Sequence, residues 1–221
     1  PWLQNAEIEH GTRPFQAIIA QANPRDRDFV LCGDDLEETT DRFVAHTSAV
    51  VPRTPEAMAA HVGQLLRCSR EVVFVDPYFD PGIRRFLRPL RAFLLEVRKR
   101  SSGSSTLEAI YHTESAATPE HFQRECDHRL VPLLPDGVAL KFLRWEKDTL
   151  HNRYVLTERG GYQFGTGLDD ALEFESCKED VVTLLDDGAF LPLWRQFGTP
   201  FQEQPGLRVV RVSRDRGAGS S

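Results

Sequence analysis

Residues 71–79, EVVFVDPYF, constrain this chain more than any other stretch. From Val72 to Val75 every residue is apolar. A strand sends successive side chains to opposite faces, so an apolar run without alternation belongs to a strand covered on both sides. The Asp76-Pro77 pair that follows closes it with a turn. The run reads as a central strand, and the fold has to supply cover for both of its faces.

The flanking sequence supplies that cover. Ahead of the run, Thr54 and Pro55 read as an N-cap and first helical position for a helix through Cys68. After it, residues 82–100 carry Phe86, Leu90, Phe93, Leu94 and Val97 on one helical face and an arginine stripe on the other, with Pro89 kinking or starting the helix. Strands are expected at 29–33, 107–113, 138–145, 180–186 and 207–212, and NRYVLTE and GYQFG form a hairpin around Arg159-Gly160-Gly161. A helix begins at Thr118-Pro119, a short one follows at GAFLPLWRQF, and the stretch FQAIIAQA also reads as helical. The acidic DDLEETTDRF reads as exposed, and SSGSS, 101–105, as a mobile loop. Alternating strands and helices give an α/β fold with a mixed sheet flanked by helices. The expected organisation is an N-terminal extension over 1–58, one α/β domain over 59–212 and a disordered tail over 213–221.

Composition is that of an ordinary globular protein of 221 residues, with a net charge of −6 that gives no overall attraction to nucleic acid or anionic membrane. Binding of that kind needs a local patch. Cys32, Cys68, Cys126 and Cys177 form no C-x-x-C pair, which reads as reduced, mostly buried thiols in a cytoplasmic protein. No apolar run reaches the length of a membrane span.

The chemistry-bearing stretch is LHNRYVLTERGGYQFGTGLDD, 150–170. His151 is followed two residues later by Arg153, then by Glu158 and by Gly165-Thr166-Gly167. This spacing resembles the phospholipase D signature, with His151 at the histidine place, Arg153 at the lysine, Glu158 at the aspartate and Thr166 at the serine. Leu168 stands where that signature has asparagine. The closer resemblance is to the C-terminal, phospholipase D-like domain of proteins carrying MIT domains and to its bacterial relatives, through the His-x-Arg, the GTGLD ending and the upstream VDPYF. It covers roughly residues 59–200.

The resemblance implies a metal-independent phosphodiesterase without cofactors. His151 is then the nucleophile that forms a phosphohistidine, or the general acid. Arg153 and Thr166 hold the phosphoryl oxygens, and Glu158 orients the imidazole. One motif per chain against a two-histidine mechanism requires a homodimer sharing its site across a two-fold axis. The substrate expected is nucleic acid, with Arg84, Arg88 and Arg91 of the stripe on its backbone. The alternative is an inactive module that keeps the pocket for a phosphorylated ligand, a membrane headgroup or a partner protein. Asp76, at a strand end where α/β folds carry ligands, is a further candidate; its plain structural role is to cap the turn. His121, Glu125 and His128 share a helix face near Cys126, but their spacing matches no standard metal motif.

Overall fold

The computed structural model describes residues 1–12, 15, 17–36, 47–99, 106–171, 176–199 and 207–214. The chain divides into two compact units, Pro1–His46 and Thr47–Ser221. The boundary falls earlier than the 58/59 expected from sequence, because residues 48–52 form a strand of the larger unit.

In the smaller unit, helix α1 (Trp2–Thr12) accompanies a two-stranded parallel sheet of β1 (Ile18–Ala20) and β2 (Val30–Cys32). Within FQAIIAQA, Ile18–Ala20 is therefore a strand and not part of a helix. Ile18 and Ala20 point inward beside Val30 while Ile19 is exposed, a period of two. The acidic stretch from 37 onward lies outside the described residues.

The larger unit is built on an eight-stranded mixed sheet. Its strands are β3 (Ser48–Pro52), β4 (Val72–Val75), β5 (Leu107–Thr113), β6 (Val138–Arg144), β7 (Arg153–Thr157), β8 (Gly160–Phe164), β9 (Glu179–Leu184) and β10 (Arg208–Val212). Their order across the sheet is β10-β6-β5-β4-β7-β8-β9-β3. The central β6, β5 and β4 are parallel, and every other pairing is antiparallel. Along β4, Val72 and Phe74 enter one core and Val73 and Val75 the other, which is why the run is apolar without interruption.

The first core lies under α2 (Pro55–Cys68), α3 (Arg84–Arg98) and α4 (Pro119–Glu125). The second lies under α5 (Asp187–Phe197), which contributes Phe190 and Phe197. Thr54, Thr118 and Asp186 each cap a helix by accepting from a backbone N–H three residues on. Pro89 sits inside one continuous α3. Proline cannot donate to the carbonyl four residues back, and that carbonyl, of Arg85, accepts the N–H of Asp170 instead, at 3.0 Å.

The four cysteines are free thiols. Cys126 is buried and Cys32 half-buried, but Cys68 and Cys177 are exposed, contrary to the expectation of mostly buried thiols. Among the described residues no helix is long and apolar enough to cross a membrane. The SSGSS loop and the tail from 215 lie outside the described residues.

Candidate functional site

The sheet topology brings one set of residues to one edge. The carboxyl ends of parallel β4, β5 and β6 meet the start of antiparallel β7, the end of β8, the start of β9 and the end of β3. Arg53, Asp76, Arg153, Thr166 and Asp180 therefore arrive at the same edge from distant parts of the sequence. Strand carboxyl ends are where open α/β sheets form crevices. Here the crevice is a cleft of about 540 Å³, in the range of small-molecule sites, lined by Arg53, Asp76, Tyr78, Arg85, Arg153 and Asp169 among others.

Asp76 forms the floor. It is 1 % exposed. One carboxylate oxygen accepts the N–H of Tyr78 at 2.9 Å and the other the N–H of Leu168 at 3.0 Å. Burial pushes its pKa up from 3.8 to about 6; the two amide donors oppose that rise, Asp169 adds to it and Arg153 offsets it. Asp76 thus caps its turn and also ties the GTGLD segment to the end of β4. Leu168 buries its side chain and offers Asp76 only its backbone.

Arg153 opens β7 and forms one wall. Its guanidinium carbon lies 4.8 Å from the centre of the Tyr78 ring, a cation–π arrangement, and Nη1 donates to the His151 carbonyl at 3.3 Å. Its Nε is buried without an acceptor, and no carboxylate lies within 4.0 Å of it among the described residues. The other cleft arginines are differently placed. Arg53, 5 % exposed, donates to one oxygen of Asp169 at 3.2 Å and to the carbonyl of Cys177 at 3.1 Å. Arg85 meets the other Asp169 oxygen at 3.2 Å. Asp169 thus clamps the end of β3 to α3, and of the arginines lining the cleft Arg153 is the one with no carboxylate within 4.0 Å among the described residues.

Thr166 lines the cleft, but its N–H and its hydroxyl both donate to Asp180, at 2.9 and 3.1 Å. The hydroxyl proton that a phosphate would accept is thereby committed. The glycines on either side follow from crowding. A Cβ on Gly167 would stand 2.4 Å from an Asp169 oxygen, and one on Gly165 2.9 Å from an Asp180 oxygen.

Two sequence candidates fall elsewhere. His151 precedes β7, is exposed, and lines a separate recess of about 160 Å³ with Val75, Asn152, Tyr154, Gln196 and Phe197. Its imidazole forms no hydrogen bond among the described residues. Glu158 lies at the opposite end of β7, in the hairpin turn, where its carboxylate accepts the N–H groups of Arg70 at 2.9 Å and Glu71 at 3.0 Å. The role of imidazole orienter is corrected on that ground: the two residues are separated by the whole length of the strand.

The arginine stripe of α3 also divides. Arg88 pairs with Asp170 at 2.6 Å, whereas Arg84 and Arg91 are exposed without an ion pair among the described residues. On α4 and the turn that continues it, His121 bonds Arg124 and Glu125 pairs with Arg129. Arg53, Tyr78, Arg85 and Asp169 were not singled out in the sequence. The readable signal was the Asp169-Asp170 pair following GTG, opposite arginines spaced three apart on α3.

No family model matches the chain, and no curated protein matches it. Among solved structures it is similar to TrmBL2, an archaeal chromatin protein whose structure shows a novel mode of DNA binding, at 10 % identity and a TM-score of 0.32. That likeness covers 69 % of this chain and 53 % of the other, so it spans about half of TrmBL2, and at that score it carries neither fold nor function across.

Proposed function

We propose that the larger unit is a phospholipase D-like module that binds a phosphorylated ligand, and that it is not a phosphodiesterase. The observation carrying this reading is the state of Arg153. It is a partly buried guanidinium in the wall of a cleft, stacked on Tyr78, with an N–H lacking an acceptor and no carboxylate at ion-pair distance among the described residues. A planar cation held in that way suits a phosphate group, which can accept two of its N–H bonds at once.

Catalysis finds less support. A phosphohistidine mechanism needs an imidazole aimed at the phosphorus and a charge partner for it. His151 lines a different recess, Glu158 is committed to two backbone amides, and the Thr166 hydroxyl donates its hydrogen bond to Asp180.

The test is calorimetric titration of the full chain with inorganic phosphate and with glycerol phosphate, beside an assay on a chromogenic phosphodiester. Binding that falls at least tenfold in Arg153→Gln and is unchanged in His151→Ala supports the module. Cleavage of the diester that disappears in His151→Ala overturns it in favour of the enzyme.

A further inference from the structure

At the other side of the sheet, the end of β6 and the start of β10 frame a second recess of about 250 Å³. It lies three strands from Arg153, roughly 14 Å at ordinary strand spacing, and shares no lining residue with the first cleft. Arg144, Lys147 and Arg208 line it, together with Ser115, Trp145 and, as the one acidic group among the described residues, Glu146.

Arg144 is 4 % exposed. Its guanidinium carbon stands 4.6 Å from the centre of the Phe122 ring, and Nη2 donates to the carbonyls of Ser115, at 2.9 Å, and Ala117. Nε and Nη1 have no acceptor, and no carboxylate comes within 4.0 Å of the group among the described residues. Asp80 and Glu120 act on it only from further away. Arg208 stands directly opposite Arg144 in the antiparallel pairing of β10 with β6. Like charges in direct cross-strand register destabilise a sheet, and a buried cation without a counter-charge destabilises it further. Burial and the charge of Arg208 both disfavour the cationic form of Arg144. Arginine cannot relieve this by losing its proton, as lysine or histidine can.

We propose that this recess is a second anion site, independent of the Arg153 cleft, and takes a phosphate-sized oxyanion. The anion sits between Arg208 and Lys147, with the fixed positive charge of Arg144 behind them. Lys147 and Arg208 are exposed, so they are free to close on a ligand. Glu146 restricts the site to anions small enough to stay on the basic side of the recess.

The experiment is calorimetric titration of the full chain with inorganic phosphate at constant ionic strength. Arg153→Gln removes the first cleft. In that background phosphate is expected still to bind, and adding Lys147→Gln with Arg208→Gln is expected to weaken it at least tenfold. Both added changes are at exposed positions, so folding is retained. If Arg153→Gln alone abolishes phosphate binding, or the added pair leaves the affinity unaltered, the second site does not exist. If instead wild-type binding ignores Arg153→Gln and responds only to the added pair, the second site stands and the reading of the first cleft fails. A further variant, Arg144→Met added to Arg153→Gln, is expected to lose the increase in urea midpoint that phosphate gives Arg153→Gln alone. Retention of that increase would overturn the proposal; should Arg144→Met not fold, the Lys147/Arg208 arm decides.

Discussion

At the scale of single residues, position along a strand decides what a motif-like spacing can do. His151, Arg153 and Glu158 are spaced as an active-site motif, yet the five residues of β7 carry Glu158 to the opposite sheet edge. There its carboxylate takes two backbone N–H groups from the turn that feeds β4. Glu158→Gln, which keeps one acceptor but loses the charge, is expected to lower stability by about 1–2 kcal/mol, since charged acceptors of two amides are worth more than neutral ones. Phosphate affinity should not move. Urea unfolding beside a phosphate titration checks both, and a variant that binds phosphate worse at unchanged stability would put Glu158 back in the site. Asp169→Asn tests the opposite kind of residue. It removes the charge shared by Arg53 and Arg85, one of them almost fully buried, so a loss of about 2 kcal/mol is expected, because charge-assisted hydrogen bonds become neutral ones.

At the scale of elements, most of the sheet was legible and its edges were not. β4, β5 and β6 announce themselves by apolar runs, and the hairpin of β7 and β8 by its glycines. β3 was missed: it has five residues, ends in proline, pairs with β9 alone among the described residues, and leaves Val50 exposed, so its pattern is too short and too mixed to read. Arg53 follows β3 directly, and that is why the cleft's most buried arginine went unseen. Arg153 and Thr166 were reached through the resemblance to the phospholipase D signature; the face that His151 lines was not readable, because it lies just before the strand begins and alternation does not yet apply. The docking of the GLDD segment on α3 depends on a feature visible in sequence but not interpretable there, the mid-helix Pro89. It frees the Arg85 carbonyl that holds the Asp170 amide. Pro89→Ala supplies a competing N–H from within the helix. The expected result is faster hydrogen exchange at the Asp170 amide while global stability holds or rises. Exchange at Asp170 unchanged from wild type would mean that the side-chain pairs of Asp169 and Asp170 hold the segment without that bond.

At the scale of the whole molecule, two buried titratable groups, one on β5 and one directly after β4, give opposite pH dependences. His112, on β5, is fully buried; Trp145 donates its indole N–H to one ring nitrogen at 2.8 Å, and the other meets the Phe197 carbonyl at 3.0 Å. That arrangement calls for a neutral ring with its proton toward Phe197. Burial lowers its pKa from 6.5 to about 4, with the Phe197 carbonyl opposing the change. The stability it contributes is complete above pH 6.5 and is lost as pH falls through 4, because the unfolded chain takes up the proton first. Asp76 runs the other way. Its folded pKa, about 6, lies above the ordinary 3.8, so its contribution is complete below 3.8 and is lost as pH rises through 6. Each is worth roughly 3 kcal/mol across its window. Between pH 6.5 and 4 they oppose one another, and the wild type is expected to show little net slope from this pair. Asp76→Asn removes the compensating partner. Relative to wild type, its stability should fall by roughly a further 3 kcal/mol over that interval, whatever its offset at pH 7 from losing one of two amide acceptors. Urea midpoints taken at half-unit steps from pH 7 to 4 measure the divergence. Curves that stay parallel throughout would mean that Asp76 remains ionised beneath the cleft, and that the positive charge of Arg153 is already spent on it.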